Sequence, residues 1–361
     1  MNLRDFGYDL WLNESTKDRI PTEDQVARIV AVDRNRYVIH NGLKLVPAEL
    51  TGRLMYSIET NEDMPCVGDW VLVNLYDADT HAIIYELLPR KSILRRKTAG
   101  RQIEYQLIAA NIDVAFIVQS CDVDYNLNRL DRYIVMIMDG GIEPVLLLTK
   151  SDLIDSPQLE SMVGEIEKNH KIKIVALSNI TGVGYDRFNG ILEKGKTYCL
   201  IGSSGVGKST ILNHLLQKDE FITNEVREKS GKGKHTTTRR QLVLLDNGAM
   251  FVDTPGMREL GMISFELGIN EGFEDIAAIA KECRFKDCSH TEEKGCAVLQ
   301  EVNAGKLSAD RYKSYLKLMK ESEYYSMSYF EKRRKDKAFG QFVKNYLKYD
   351  KKQSTPADGQ R

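Results

Sequence analysis

Four short stretches rich in Val, Ile and Tyr lie in the early part of the chain, each bounded by Gly, Asn or Asp. They read VARIVAVD, RYVIHNG, DWVLVNLYD and HAIIYELL. β-Branched and aromatic residues in short runs between turn formers predict strands, and several such strands close together indicate a small β-barrel. Residues 1–97 are therefore predicted to form a barrel domain.

Basic residues crowd the end of this predicted barrel. They are Arg90, Lys91, Arg95, Arg96 and Lys97. Small Greek-key barrels, including the oligonucleotide-binding (OB) fold, often hold nucleic acid in a positively charged groove, so this part is predicted to be an OB-fold-like RNA-binding domain. The alternative for these residues is a solvated linker face.

From about residue 105 the pattern changes to continuous apolar runs that alternate with helical spacing. DVAFIVQS, PVLLLT, KIVALS, TYCLIG and AMFVD are apolar runs, whereas LNRLDRYIVMIMDG and STILNHLLQ have the helical period. The alternation predicts a parallel α/β sheet, and the continuous runs indicate strands buried on both faces. Residues 98–262 are predicted to form this α/β domain.

The chain becomes helical after about residue 262 and ends in an amphipathic stretch rich in Lys and Tyr, 311–347. Residues 263–361 are predicted to form a helical domain with a basic tail around 332–337. That tail is either an RNA contact or a charged, solvated helix. The predicted fold class is therefore multidomain, with a barrel, a central α/β domain and a C-terminal α-helical domain.

Composition limits the possible classes of protein. The 361 residues, 42% of them hydrophobic and 29% charged, suit a globular protein of two or three domains. The formal net charge of −1 does not favour a large anionic partner, so local basic runs decide that question. No apolar run reaches the length of a membrane span, and a cytoplasmic protein without a membrane partner is expected.

A glycine-rich motif lies between an apolar run and a helical one. Its residues, with the one that follows, are Gly202, Ser203, Ser204, Gly205, Val206, Gly207, Lys208, Ser209 and Thr210. A strand, this motif and a helix together form the phosphate-binding loop of nucleotide hydrolases, whose backbone N–H groups surround the phosphates. Lys208 is expected to bridge the β- and γ-phosphates, and Ser209 to ligate Mg²⁺.

The motif TKSD follows the run PVLLL and indicates a guanine base. Its residues are Thr149, Lys150, Ser151 and Asp152. The Asp152 carboxylate can accept both N1–H and the exocyclic amine of guanine, a donor pair that adenine lacks. The Lys150 stem would cover the base, and a backbone N–H at Ser178 would contact the guanine oxygen. Thr149 replaces the usual Asn, so a contact from the base loop to the phosphate loop is expected to be lost or weakened.

The segment DTPG follows the apolar run AMFV. Asp253 is expected to hold Mg²⁺ through water, and the Gly256 N–H to contact the γ-phosphate. Met257 stands where many GTPases have a water-orienting Gln. His235 is the candidate for that catalytic role. An equal alternative is that His235 is a solvated loop residue that contacts RNA.

Two threonines follow that histidine, Thr236 and Thr237. One of them is expected to close over Mg²⁺ and the γ-phosphate, as switch threonines do. Which of the two does so is left open by the sequence.

Three of the six cysteines gather with a histidine. The four residues are Cys283, Cys288, His290 and Cys296. Three thiolates and one imidazole match a closed, tetrahedral structural Zn²⁺ site rather than a catalytic one. The alternative is three reduced thiols near a surface histidine.

The motifs stand in an unusual order, because TKSD and the Ser178 loop precede the phosphate loop instead of following it. TKSD, GSSGVGKST, GKGKHTTT, DTPG and CRFKDCSHTEEKGC, in this order after a barrel, closely resemble the RsgA (YjeQ) family of small ribosomal subunit biogenesis GTPases. The resemblance covers nearly the whole chain. It implies a circularly permuted GTPase domain at 98–262.

The resemblance also implies an activity and partners. These are hydrolysis of GTP to GDP and phosphate, stimulated by the small (30S) ribosomal subunit late in maturation of that subunit, and binding to the 16S rRNA of the subunit. Two alternatives remain: an RNA-binding module that uses GTP as a structural ligand, and a permuted GTPase that acts on the large subunit. A monomer is expected, because contact with one ribosomal subunit needs a single copy.

Overall fold

The structure, a computed structural model, describes residues 3–16, 25–33, 36–97, 105–122, 124–216, 240–253, 268–327, 331 and 334. The strands in this part of the chain are β1 (Val26–Asp33), β2 (Arg36–His40), β3 (Leu45–Leu50), β4 (Trp70–Tyr76), β5 (His81–Leu87), β6 (Ile93–Lys97), β7 (Tyr105–Ala110), β8 (Val114–Ser120), β9 (Glu143–Thr149), β10 (Lys173–Ala176), β11 (Thr197–Ile201), β12 (Arg240–Leu244) and β13 (Met250–Asp253).

The α-helices of the same ranges are α1 (Leu10–Thr16), α2 (Gly52–Ser57), α3 (Leu127–Asp139), α4 (Ser156–Asn169), α5 (Tyr185–Asn189), α6 (Lys208–Leu216), α7 (Gly268–Gly272), α8 (Glu274–Ala280), α9 (Ala297–Asn303) and α10 (Ala309–Ser326). None of these described helices has the length and apolar character that a membrane crossing requires.

Strands β1 to β5 form a closed barrel, as the sequence predicts for this part of the chain. Their order is β1-β2-β3-β5-β4, and β4 pairs back to β1. Burial alternates along β3 and β5, because successive side chains of a strand point to opposite faces of the sheet. The buried faces enclose an apolar core that includes Ile29, Ile39, Val71 and Ile84.

Six strands form the sheet of the central domain, in the order β10-β9-β8-β11-β13-β12. All neighbours are parallel except β12, which runs antiparallel to β13. β8 and β11 are buried along their whole length, as continuous apolar runs predict for strands covered on both faces. The predicted α/β class is confirmed, with one antiparallel strand at its edge.

Strand β12 joins the barrel to the central domain. It pairs with β13 on one side and with β1 on the other, where Ala31 lies opposite Gln241 and Val32 opposite Arg240. The barrel and the α/β domain therefore share one eleven-stranded sheet. Nothing in the strand pattern of the sequence predicts this continuity.

A buried arginine in β1 strengthens the same junction. The Arg28 guanidinium donates to the Gly68 carbonyl in the barrel at 3.2 Å. It also donates to the Asn111 carbonyl at 3.1 Å and to Thr197 Oγ1 at 2.9 Å in the central domain. Burial lowers the pKa of Arg28 to about 10, so the side chain stays charged at neutral pH and its donors need these acceptors.

The basic residues at the end of the barrel bind groups of the chain itself. The contacts are Arg90 with Asp69 (2.8 Å), Lys91 with Asp113 (3.2 Å), Arg95 with Glu62 (3.0 Å) and Asp139 (3.1 Å), and Arg96 with Gln106 (3.1 Å). These four side chains therefore already have partners within the chain, and an RNA contact at this end of the barrel stays a prediction. The predicted boundary after residue 97 falls between β6 and its antiparallel partner β7.

The C-terminal helices pack on α3 of the central domain through a buried ionic network. Arg311, near the start of α10, bonds both carboxylate oxygens of Asp275 at 2.7 and 2.8 Å. It also donates to Asp131 of α3 at 3.1 Å, and the same Asp131 oxygen lies 2.9 Å from His170. The guanidinium carbon stands 4.5 Å from the centre of the Phe273 ring. Helices α3, α8 and α10 are thus held together by one side chain.

Candidate functional site

The glycine-rich loop lies between β11 and α6, as predicted. Gly202, Gly205 and Gly207 have φ values of 154°, 85° and 98°, a region that side chains with a Cβ rarely adopt. A Cβ on Gly202 would lie 2.2 Å from the Val118 carbonyl oxygen. These positions therefore need glycine, and the loop is free to turn its N–H groups inward before the helix begins.

Lys208 begins α6 and reaches back over the loop. Its ammonium donates to the Gly202 carbonyl at 2.7 Å and to the Ser203 carbonyl. Ser209 and Thr210 follow in the first turn of the helix and are partly exposed. Lysine, loop and helix N-terminus together form an anion-binding arrangement of the type that takes phosphates.

Thr149, the last residue of β9, links the base loop to the phosphate loop. Its hydroxyl donates to the Val206 carbonyl at 2.6 Å, and the side chain is fully buried. The sequence predicts that the amide contact of the usual Asn is lost or weakened. The shorter threonine hydroxyl instead reaches the loop carbonyl directly, so the two loops keep a link. The two loops are joined across strands β9 and β11.

The rest of TKSD forms a turn at the carboxyl end of β9. Lys150 has a positive φ of 56°, and Ser151–Leu153 form a 3₁₀ helix. The Lys150 ammonium lies 2.7 Å from Asp122 Oδ2 at the end of β8. Asp152 is exposed, and no described residue bonds its carboxylate. It stands three residues after Thr149, which contacts the phosphate loop, and its free carboxylate suits an acceptor for donors of a ligand.

The Ser178 loop, after β10, differs from the prediction in one detail. The Ser178 N–H donates to the Val183 carbonyl at 3.0 Å, and its hydroxyl accepts the N–H groups of Ile180 and Thr181 at 3.1 Å. The predicted contact of this N–H with guanine is therefore replaced by one inside the loop. Ser178 shapes the turn.

Asn179 also belongs to this site, although no sequence motif includes it. Its amide nitrogen lies 2.6 Å from where a Cβ on Gly207 would stand, so it touches the phosphate loop. Its Oδ1 accepts the Tyr185 hydroxyl at 2.6 Å, and its own N–H has no acceptor among the described residues. The only signal in the sequence is its place directly after Ser178.

Asp253 ends β13 at the same edge of the sheet. β13 is parallel to β11, and Val252 lies opposite Cys199, so Asp253 is level with Leu200, two residues before the phosphate loop begins. Burial raises the pKa of Asp253 to about 6, which indicates a carboxylate without a neutralising partner in the described part of the chain. The predicted residues His235, Thr236, Thr237 and Gly256 lie outside the described residues.

The four predicted metal ligands come together in the C-terminal domain. The donor atoms of Cys283, Cys288, His290 and Cys296 all lie within 4.8 Å of one another. His290 Nδ1 is 3.5 Å from the sulfurs of Cys283 and Cys296, which are 3.9 Å apart. Two thiolates on one tetrahedral ion with bonds of about 2.3 Å are separated by about 3.8 Å, so the cluster fits a metal ion.

Backbone groups support the thiolates. Burial opposes ionisation of the Cys283 thiol, but the nearby backbone N–H groups of Val298 and Ala297, in the first turn of α9, lower its pKa. The Leu299 N–H donates to the sulfur of Cys296 at 3.4 Å. A helix N-terminus thus faces the anionic ligands, as it would in a closed metal site.

The fold and the site together define a class of protein. The phosphate loop, the base loop and Asp253 all stand at the carboxyl edge of one parallel sheet, where α/β proteins bind nucleotides. The strand that carries the phosphate loop comes fourth among the six strands of this sheet along the chain, after the strands of the base loops. This is a circularly permuted P-loop GTPase.

The comparisons with known proteins agree with this class. The model of the RsgA GTPase family matches residues 87–263. Small ribosomal subunit biogenesis GTPase RsgA 1 of Bacteroides thetaiotaomicron is 39% identical over 325 residues, which are 89% of this chain and 90% of the relative. RsgA 2 of Vibrio vulnificus is also 39% identical and covers 89% of this chain and 88% of its own. The chain belongs to the RsgA GTPase family.

Solved structures have the same architecture. YjeQ from Thermotoga maritima is 26% identical, superposes with a TM-score of 0.62, and covers 82% of this chain and 98% of its own. YloQ, described as a circularly permuted GTPase, shares the fold with a TM-score of 0.59 at 24% identity over 84% of this chain and 96% of its own.

Proposed function

We propose that this RsgA-family enzyme hydrolyses GTP to GDP and phosphate when it is bound to the small ribosomal subunit, late in the biogenesis of that subunit. The hydrogen bond from Thr149 to Val206 is the observation that carries the proposal. It joins a phosphate loop and a guanine-type base loop into one site. The curated relatives, which are about as long as this chain, are named small ribosomal subunit biogenesis GTPases.

The phosphate side of the site has a defined set of groups. The N–H groups of loop 202–207 and the ammonium of Lys208 bind the β- and γ-phosphates. Ser209 and Asp253 hold Mg²⁺, which when bound neutralises charge on the phosphates. His235 orients the attacking water, Thr236 or Thr237 contacts the γ-phosphate, and the Gly256 N–H contacts its oxygen.

Base selectivity comes from Asp152, whose two carboxylate oxygens accept the N1–H and amine of guanine. Lys150 lies along one face of the base, and the Asn179 N–H, rather than that of Ser178, meets the guanine oxygen. Asp152→Asn replaces one acceptor by a donor, which matches xanthine in place of guanine.

The test of base selectivity is phosphate release from GTP, ATP and XTP by the wild type and Asp152→Asn. The wild type should prefer GTP, and the variant should lose about a hundredfold or more of that preference and gain XTP hydrolysis. Asp155→Asn is the matched control, because asparagine keeps the N-cap acceptor that α4 uses for the Gln158 N–H. Equal use of ATP by the wild type would contradict the assignment of Asp152.

The ion in the C-terminal cluster is Zn²⁺, because three thiolates and one imidazole within these separations form a closed site for a soft, tetrahedral ion. The ion stabilises a region with a small core of its own. The basic tail at 332–337 and the barrel contact 16S rRNA, and the protein works as a cytoplasmic monomer.

Lys208→Ala separates an enzyme from an RNA-binding module that uses GTP only as a structural ligand. Loss of this ammonium should lower phosphate release by about a hundredfold or more. Binding to purified small subunits, measured by co-sedimentation, should persist. A variant that turns over GTP at the wild-type rate would contradict the proposed role of the loop, and preferential binding to large subunits would contradict the proposed partner.

A further inference from the structure

Lys150, the residue that covers the base in the proposed site, has its charged end held at a fixed point. Its ammonium lies 2.7 Å from Asp122 Oδ2, and the two side chains are 35% and 24% exposed. The pair is therefore partly shielded from water, where an ion pair persists better than on an open surface. Lys150 also adopts a positive φ of 56°, a conformation that residues with side chains keep where the surroundings impose it.

Asp122 is itself held in place. Its Oδ1 accepts the Ser120 hydroxyl at 2.6 Å and the Asp124 N–H at 3.0 Å. These two bonds leave Oδ2 directed at Lys150. Although burial opposes ionisation, the bonds from Lys150, Ser120 and Asp124 lower the pKa of Asp122 to about 2. The carboxylate is thus both oriented and charged at neutral pH.

We propose that Asp122 is a positioning residue for guanine binding: it anchors the Lys150 ammonium so that the aliphatic stem lies ready along the face of the base. This rests on the proposed GTPase function. A free lysine stem samples many rotamers, and ordering it on binding weakens affinity. With its end anchored, the stem presents its methylene groups while its charge is already neutralised. Asp122 lies outside TKSD and is not part of the phosphate loop.

The measurement is the affinity and dissociation rate of a fluorescent GDP for the wild type, Asp122→Asn, Lys150→Met and the double variant. Asp122→Asn should weaken GDP binding roughly three- to tenfold, mostly through faster dissociation. In a Lys150→Met background, Asp122→Asn should have no further effect, because the anchored group is gone. In turnover, the loss should fall on KM rather than kcat.

Asp124→Asn is the matched control. Asp124 holds Asp122 only through its backbone N–H, which the substitution keeps, and its side chain pairs with Arg129 instead of Lys150, so GDP affinity should stay unchanged. Thermal unfolding of each variant separates a loss of fold from a loss of binding. Additive effects of Asp122→Asn and Lys150→Met, or an unchanged dissociation rate in Asp122→Asn, would overturn the proposal.

The same experiment distinguishes this proposal from the proposed function. If the wild type binds GDP no better than ADP, the GTPase assignment itself fails. If the wild type selects GDP and Asp122→Asn behaves like the wild type, only the role of Asp122 fails.

Discussion

Thr149 shows how much a single residue contributes to the nucleotide site, because one hydroxyl joins the two loops that bind the base and the phosphates. Thr149→Val should leave the Val206 carbonyl unpaired in a buried position and cost about 1 to 3 kcal/mol of unfolding free energy. GDP affinity should fall with it. Urea unfolding and fluorescent GDP titration measure the two effects.

Thr149→Ser provides the control for that variant, since serine keeps the hydroxyl and removes only a methyl group. It should retain GDP affinity close to that of the wild type. If valine and serine at this position weaken GDP equally, the hydroxyl does not link the loops.

Asp253 makes the unfolding free energy of the nucleotide-free protein depend on pH. Burial raises its pKa to about 6, so the folded state binds this proton more tightly than the unfolded chain does. Its contribution to stability is therefore present below about pH 4 and is lost as the pH rises through about 6.

Between those pH values, the unfolding free energy of the wild type should fall by about 2 kcal/mol relative to Asp253→Asn. Urea unfolding of both proteins across the range, without nucleotide or Mg²⁺, measures the difference. A difference that stays constant with pH would contradict the burial of this carboxylate.

The site residues that could be predicted are those with a local pattern. The glycines of the phosphate loop, Asp152 and the four cluster ligands follow from spacing, because their chemistry depends on near neighbours in the chain. Asn179 and Asp122 could not be found in this way. Each acquires its contact only when strands distant in sequence become neighbours, and a side-chain pair such as Asp122 with Lys150 has no periodic signature.

For helices and strands, too, the sequence predicts local features but not contacts between distant segments. Strands and helices of the central domain follow from apolar runs, because burial on both faces is visible residue by residue. The pairing of β12 with β1 is different, since it joins segments far apart in the chain and leaves each with an ordinary strand pattern. For the same reason, the basic residues after the barrel suggested an RNA contact, whereas Arg90 and Arg95 bind Asp69 and Glu62.

Substitution of Arg311 measures how much the packing of the C-terminal helices on α3 contributes to stability. Arg311→Lys keeps the charge but loses the fork that binds Asp275 and Asp131 together, and should cost about 2 to 4 kcal/mol of unfolding free energy. Lys313→Met, in an exposed pair with Asp310, should cost less than about 0.5 kcal/mol. Equal losses in urea unfolding would mean that the buried network contributes no more than a surface pair.

The proposed metal ion is expected to organise the start of α9, because its ligand Cys296 caps that helix. A chelator under reducing conditions should remove one ion per chain and lower the helical signal in circular dichroism, because metal binding and local folding are coupled. Cys288→Ser should bind less Zn²⁺ by elemental analysis, whereas the exposed neighbour Asp287→Asn should bind one ion as the wild type does. Full helical signal without the ion would contradict a structural role.

At the scale of the whole molecule, the nucleotide site is connected to both other domains. β12 pairs with the barrel, and α3 carries Asp131, which bonds Arg311 of the C-terminal helices. In the permuted order, the DTPG segment, which begins with Asp253, also directly precedes the C-terminal helical domain along the chain. Loss of the γ-phosphate can therefore be transmitted to the surfaces proposed to meet the ribosome, both along the chain and through packed elements.

That the small ribosomal subunit stimulates this GTPase is tested most directly by the rate of phosphate release from GTP and ATP, with and without purified small subunits. We expect slow release from GTP alone, strong acceleration by small subunits, and little release from ATP in either case. Release that small subunits leave unchanged, or that is as fast with ATP as with GTP, would contradict this expectation.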